Sequence, residues 1–205
     1  MNIGIIGSGH IGGNLGELLA RKGHKLYFSF SHDEAKLEKL AQNAGNESKA
    51  ATPYDAVLCG EIIIFSPPWT QIDEALAKAG DLSGKIVVDT TNPYNSDFTV
   101  QTLPDNESSS EIVAKKLPTA NVVKAFNTLK AQTLLDRTGQ GLAIFYCGDD
   151  PIAKNTVAQL IQDCGFVPVD TGTLQEGRLQ QPNTDRYLKE LTKEQAEQLV
   201  AAPTH

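Results

Sequence analysis

The stretch that decides the fold lies at positions 2–12 and consists of Asn2-Ile3-Gly4-Ile5-Ile6-Gly7-Ser8-Gly9-His10-Ile11-Gly12. The apolar run at 2–6 has the length and composition of a short buried β-strand. The glycines that follow have the spacing GxGxxG, and an amphipathic pattern over 10–22 predicts a helix directly behind them. A strand, this glycine spacing and a helix indicate a loop that binds the pyrophosphate of a dinucleotide. The alternative is a glycine-rich turn without a ligand.

Each glycine of this loop has its own expected role. Gly7 permits a tight turn, Gly9 lets the backbone approach the pyrophosphate, and Gly12 allows helix and strand to pack closely. The free backbone N–H groups at the start of the helix then face the anion. His10 lies in the same loop, where we expect a backbone contact or a cover over the pyrophosphate rather than catalysis.

The rest of the chain alternates between short apolar runs and helical patterns. Strands are predicted at 2–6, 25–30, 61–65, 85–89, 121–126 and 142–147, and helices at 10–22, 33–44, 70–79, 108–116 and 151–163. Because crossovers between parallel strands are right-handed, the pattern predicts an α/β fold, a Rossmann-type doubly wound parallel sheet. We expect residues 1–148 to form the nucleotide-binding domain and 149–205 a smaller, α-rich C-terminal extension that contributes to substrate binding or dimerisation.

Composition excludes several classes of protein. With 205 residues and a net charge of −7, the chain is acidic, which argues against nucleic acid as a partner. It contains no apolar run of the roughly 20 residues that a membrane span needs, and no pattern of a secretory signal. The three cysteines show no CxxC pair, so we expect buried thiols, no metal site and a cytoplasmic protein.

The end of the second predicted strand bears on which dinucleotide binds. An acidic side chain there accepts a hydrogen bond from the ribose 2′-OH of NAD and repels the 2′-phosphate of NADP. Here the sequence continues Ser31-His32-Asp33-Glu34, with Lys36 one turn into the next helix. Hydroxyl, imidazole and ammonium groups suit a phosphate, so the sequence favours NADP(H). Asp33 is the argument for NAD, although an aspartate at this point also caps a helix.

Several further motifs resemble one known family, in the same order along the chain. They are residues 63–69 (Ile-Ile-Phe-Ser-Pro-Pro-Trp), 87–93 (Val-Val-Asp-Thr-Thr-Asn-Pro), 122–128 (Val-Val-Lys-Ala-Phe-Asn-Thr), 147–150, 165–166 and 170–172. On these motifs, which run over nearly the whole chain, the sequence resembles the NADP-dependent oxidoreductases of the deazaflavin (coenzyme F420) reductase type. The nucleotide domain of that family is similar to that of the six-transmembrane metalloreductases.

The resemblance implies a set of cofactor contacts. Those to the pyrophosphate are Ser8, Gly9, His10 and Ile11, and those to the 2′-phosphate are Ser31, His32 and Lys36. Those to the ribose and nicotinamide are Ser66, Pro67, Trp69, Gln71, Asn92, Pro93, Ala125 and Asn127. The chain departs from the family at His32, where many members have arginine, a planar two-pronged phosphate donor. Core packing for Trp69, a plain turn at Asn92, and loop-fixing hydrogen bonds from Lys124 and Asn127 stay open as alternatives.

The resemblance also implies an activity, hydride transfer between NADP(H) and a deazaflavin or flavin as small-molecule acceptor. Direct transfer requires mainly that the protein hold the two reactants together and exclude water. Lys124 and Asn127 are the candidate catalytic residues if a carbonyl or imine is polarised instead. Reductases of an imine, a hydroxyacid or a flavin–metal chelate remain alternatives, as does a non-catalytic NADP-binding sensor. An enzyme requires a second pocket beside the nicotinamide, walled by the C-terminal region. A homodimer is expected.

Overall fold

An eight-stranded sheet forms the centre of the structure, a computed structural model that describes residues 1–31, 33–104 and 107–202. The strands lie in the order β3-β2-β1-β4-β5-β6-β7-β8, and the first six positions of this order are those of a Rossmann sheet. The strands are β1 (Asn2–Ile6), β2 (Lys25–Ser29), β3 (Lys49–Ala50), β4 (Ile62–Phe65), β5 (Ile86–Asp89), β6 (Asn121–Ala125), β7 (Ala143–Gly148) and β8 (Val167–Asp170).

Helices cover both faces of the sheet and make a three-layer α/β fold. One face is packed by α1, α2, α6 and α7, and the other by α3, α4, α5 and α8. Strands buried on both faces explain continuous apolar runs such as Ile62–Phe65. The helices are α1 (His10–Ala20), α2 (Glu34–Ala44), α3 (Pro53–Cys59), α4 (Ile72–Ala79), α5 (Ser109–Lys116), α6 (Ala131–Asp136), α7 (Pro151–Asp163) and α8 (Lys193–Ala201).

The predicted doubly wound fold is confirmed, with one difference in strand direction. β7 pairs with β6 antiparallel, in the register Lys124 opposite Cys147, whereas the other pairs in the sheet are parallel. Antiparallel neighbours need no crossover over the sheet, and the connection between these two strands contains the short helix α6. The chain therefore turns back beside β6 instead of crossing to a parallel position.

The C-terminal part of the chain continues the sheet. The proposed boundary after residue 148 falls at the end of β7, and β8 pairs with β7 beyond it. A 3-10 helix at Leu174–Gln180 then returns toward the carboxyl ends of the strands, where the Ser108 hydroxyl donates to the Leu174 carbonyl at 3.1 Å. Within the described ranges, no helix combines the length and apolar character needed to cross a membrane.

Candidate functional site

A cleft of about 1180 Å³ runs along the carboxyl ends of β1, β2, β4 and β5. In an open α/β sheet this edge is where ligands bind. The loops that form its walls carry the candidate residues Gly7, Ser8, Gly9, His10, Ile11, Ser31, Lys36, Ser66, Pro67, Trp69, Gln71 and Asn92. The structure therefore brings these residues together around one opening.

The glycine loop is built so that only one of its glycines faces open space. A Cβ on Gly7, which has a φ of +98°, would lie 2.4 Å from the Ser66 carbonyl, and one on Gly12 would lie 2.2 Å from the Gly7 oxygen. A Cβ on Gly9 would meet no atom within 4 Å. Gly7 and Gly12 thus hold the loop against its neighbours, while Gly9 leaves room for a ligand.

The start of α1 suits an anion. Gly9 is the N-cap residue and supplies no side-chain cap, and no acidic residue lies in the first turn. The first N–H groups of this helix therefore have no cap to accept their hydrogen bonds, and they attract negative charge. The Ser8 hydroxyl does not serve as a donor to an anion, because it donates to the Ser29 carbonyl at 2.9 Å and Ser8 is almost fully buried. These features fit a pyrophosphate.

The other end of the cleft lies beyond β2. Phe30 has a φ of +56°, which ends the predicted strand at Ser29. The Asp33 carboxylate accepts from the Lys36 backbone N–H at 3.2 Å and so caps α2. Lys78 of α4 places its ammonium 5.5 Å from the centre of the Phe30 ring. This end of the cleft combines an aromatic ring with the cation of Lys36 and the ion pair of Lys78 with Glu74, at 2.8 Å. His32 lies outside the described residues.

Trp69 is both a wall of the cleft and part of the packing beneath it. Its ring packs, partly buried, against the apolar cluster below β4, and it lines the cleft as well. Its indole Nε1–H donates to Oε1 of Gln101 at 2.6 Å, which ties the loop after β4 to the loop after β5. The two alternatives considered for this residue, packing and cofactor contact, are compatible.

Lys124 is fully buried, and its ammonium is engaged in three contacts. Nζ lies 3.3 Å from Oδ2 of Asp89, and it donates to the Thr91 carbonyl at 2.9 Å and the Ser109 hydroxyl at 3.0 Å. Asp89 accepts in turn from the backbone N–H and the hydroxyl of Thr91 and from the Ser110 hydroxyl. Lys124 does not line the cleft. The contacts are those of a residue that fixes the loop after β5, and they do not favour a catalytic role.

Asn92 and Asn127 join the loops after β5 and β6 by reciprocal bonds. Asn127 Nδ2 donates to Oδ1 of Asn92 at 3.0 Å, and Asn92 Nδ2 donates to the Asn127 carbonyl at 2.9 Å. Asn127 Nδ2 also donates to the Gln180 carbonyl at 2.6 Å, which attaches the C-terminal 3-10 helix to the same point. The two asparagines thus position three segments around one end of the cleft.

A second cavity of about 290 Å³ lies beside this end of the cleft. It shares Ile11, Thr90 and Asn92 with the cleft, and its remaining walls are Phe126, Asn127, Leu129, Lys130, Ala131, Tyr187 and Leu188. Tyr187 and Leu188 come from the C-terminal region. The arrangement is that expected of an enzyme: a second pocket next to the cleft, with the C-terminal region as one wall.

The remaining predicted residues lie near the site without lining either cavity. Gly12 of α1, Pro93 of the loop after β5 and Ala125 of β6 belong to this group, and all three are buried. Sequence reasoning missed Phe30, Lys78, Tyr94 and Tyr187 as site residues. No local motif marks these four, because the fold brings them to the cavities from separate segments.

The chain is similar to a family of oxidoreductases and to metalloreductases. Residues 2–93 match the family described as NADP oxidoreductase, coenzyme F420-dependent. Metalloreductase STEAP3 of Rattus norvegicus is 29% identical over 177 residues, which cover 86% of this chain and 35% of that protein. Metalloreductase STEAP2 of Homo sapiens is 26% identical over 180 residues, 87% of this chain and 34% of that protein. The chain thus spans about a third of the length of these relatives.

Solved structures extend the likeness over nearly the whole chain. The hypothetical protein SMa0349 of Sinorhizobium meliloti is 33% identical with a TM-score of 0.84, covering 94% of this chain and 96% of that one. A proposed F420-dependent NADP reductase of Arthrobacter sp. FB24 is 29% identical with a TM-score of 0.75, covering 87% of each. A reductive aminase of Aspergillus terreus, at 18% identity and a TM-score of 0.66 over 87% of this chain and 57% of that one, shares the fold alone. Residues 2–93, which contain the glycine loop, thus match the family of NADP oxidoreductases described as coenzyme F420-dependent.

Proposed function

We propose that this protein uses NADPH as hydride donor to reduce a flavin-like acceptor, a deazaflavin or a flavin. The observation that carries the proposal is the second cavity, which adjoins the cleft and has Tyr187 and Leu188 of the C-terminal region in its wall. A sensor that only binds the nucleotide has no use for such a pocket. The match of residues 2–93 to the F420-dependent NADP oxidoreductases supports the same activity.

The geometry beyond β2 supports NADP over NAD. The carboxylate of Asp33 is held by the backbone N–H of Lys36, so its oxygen serves as a helix cap. Ser31 and Lys36, which line this end, supply donors that suit a 2′-phosphate, whereas Lys78 already donates to the Glu74 carboxylate at 2.8 Å. We therefore expect tighter binding of NADPH than of NADH.

The chain's own residues contribute position rather than acid–base chemistry. The glycine loop and the start of α1 would hold the pyrophosphate, and the loops after β4 and β5 would border the nicotinamide. When bound, the reduced nicotinamide supplies the hydride. The buried pair of Lys124 and Asp89 fixes the loop after β5, and Asn92 with Asn127 fixes the loop after β6 against it. Rigid walls of this kind keep donor and acceptor at the separation that transfer requires.

The acceptor is tested by absorbance of the nicotinamide band after rapid mixing with a panel of flavins, deazaflavins, flavin–metal chelates, imines and keto acids. We expect NADPH oxidation with a deazaflavin or flavin. Fast oxidation with an imine or keto acid only would identify a different reductase. If NADPH binds by calorimetry and no acceptor oxidises it, the sensor would replace the enzyme.

We also propose that the protein forms a homodimer. Analytical ultracentrifugation at micromolar concentration tests this. A sedimentation coefficient of a 22.1 kDa monomer, unchanged with concentration, would contradict it.

A further inference from the structure

Tyr187 lines the second cavity and carries a hydroxyl group. It lies in the segment after the 3-10 helix, half-buried, and its backbone is fixed by the bond from its N–H to the Thr184 carbonyl at 3.2 Å. The next residue, Leu188, has a φ of +55° and bonds through its N–H to the Thr128 carbonyl at 2.9 Å. The segment is thus attached to the loop after β6, and the phenol has a defined position.

The hydroxyl of Tyr187 accepts a hydrogen bond and keeps its own hydrogen available. The Tyr94 hydroxyl donates to it at 3.1 Å, and Tyr94 lines the cleft while Tyr187 lines the second cavity. Among the residues that the structure describes, no acceptor receives the Tyr187 hydrogen. Burial raises the pKa of Tyr187, so the phenol stays protonated through the neutral range. A hydrogen bond received by a hydroxyl also strengthens the bond that it donates.

We propose that the Tyr187 hydroxyl donates a hydrogen bond to the acceptor bound in the second cavity, at the oxygen or nitrogen conjugated to the atom that takes the hydride. This rests on the proposed function. The C–H bond of the nicotinamide breaks, the hydride bonds to the acceptor, and the displaced π electron pair moves onto that oxygen or nitrogen. The hydrogen bond becomes stronger as this charge develops, which accelerates transfer. Tyr94 is a positioning residue that holds the Tyr187 hydroxyl.

The side chains that line the second cavity limit the class of acceptor that it can bind. Its walls include the apolar side chains of Ile11, Phe126, Leu129 and Leu188, and the charged group that lines it is Lys130. This lining suits a largely apolar ring with a polarisable heteroatom within reach of Tyr187. The oxidised ring of a flavin or deazaflavin has this character.

The first experiment replaces Tyr187 with Phe and measures turnover with FMN or the best acceptor of the panel. We expect kcat to fall by about 10²-fold, the value typical for a lost donor to developing charge, with the Kd for NADPH unchanged within twofold. Tyr94→Phe should lower kcat less, and Tyr54→Phe, on α3 and outside both cavities, should leave it unchanged. A Tyr187→Phe protein with unchanged kcat, or with kcat and NADPH affinity lost together, would overturn the proposal.

A second experiment needs no turnover and so separates this proposal from the proposed function. Fluorotyrosine is incorporated at position 187, and its fluorine resonance is followed in the NADP⁺-loaded protein as FMN is added. We expect a saturable shift that is absent for the same label at position 54. A resonance at 187 that does not move with FMN would overturn the assignment of the cavity, whatever the panel shows. A third measurement does follow turnover: with difluorotyrosine at position 187, a more acidic phenol, we expect the rate to decline at a lower pH than in the parent protein.

Discussion

The glycines of the phosphate loop have different surroundings, and each therefore tolerates a side chain to a different degree. Gly12 is surrounded, with the Gly7 oxygen 2.2 Å from the position of an added Cβ, whereas Gly9 borders open space. A side chain at 12 therefore conflicts with the fold, and one at 9 conflicts only with a ligand. Glycine is thus needed at position 12 for the stability of the fold and at position 9 for ligand binding.

We predict opposite effects for the two valine variants. Gly9→Val should leave the melting temperature nearly unchanged and weaken NADPH binding by at least about tenfold, because the side chain occupies the space of the pyrophosphate. Gly12→Val should destabilise the protein by about 1–3 kcal/mol through overpacking. Thermal unfolding and calorimetry measure both. A Gly9→Val protein that binds NADPH normally would mean that the loop is only a turn.

A further residue-scale prediction rests on sequence, since His32 lies outside the described residues. Histidine titrates near pH ~6.5, so raising the pH from about 6 to 8 neutralises it while a 2′-phosphate remains charged. NADPH affinity should fall over this range and NADH affinity should not. His32→Arg should strengthen NADPH binding at about pH 8 by roughly 1–2 kcal/mol and flatten the pH dependence. An unchanged Kd in this variant would remove His32 from the phosphate site.

At the scale of elements, most strands and the long helices could be predicted because hydrophobic periodicity is a local property of the sequence. The helix at Pro151–Asp163 matches its predicted bounds, and the predicted strands are found within a residue or two of their ends. β3 was missed because two residues carry no periodicity. β8 was missed because Pro168 breaks a strand pattern, and in the fold β8 is an edge strand, where proline is tolerated.

The buried ion pair of Lys124 and Asp89 fixes the loop after β5 to β6. Lys124→Met would leave the Asp89 carboxylate buried without its cation, at a cost of about 3–5 kcal/mol. Lys116→Met removes an exposed pair with Asp73 and should cost a small fraction of that. Denaturant unfolding of both variants measures the difference. Equal, small losses would show that the buried pair does not hold the loop.

At the scale of the whole molecule, the sequence predicted one half of the site better than the other. The phosphate loop is contiguous, so its residues and its position after β1 followed from spacing. The second cavity depends on contacts such as that between the hydroxyls of Tyr94 and Tyr187, which lie 93 positions apart. The sequence places Lys124 at a strand end, where it is a candidate catalytic residue. The direction of its side chain depends on packing, and in the fold the side chain points into the core.

In the proposed reaction, hydride passes directly from bound NADPH to an acceptor in the adjoining cavity. The most direct test uses NADPH deuterated at nicotinamide C4, on either face, with a 5-deazaflavin whose reduced carbon keeps the deuterium that it receives. We predict that one of the two labelled cofactors delivers its deuterium to C5 of the product, detected by mass spectrometry, with a primary isotope effect on the single-turnover rate. Reduced deazaflavin without deuterium from either cofactor, or no reduction while NADPH is bound, would contradict the claim.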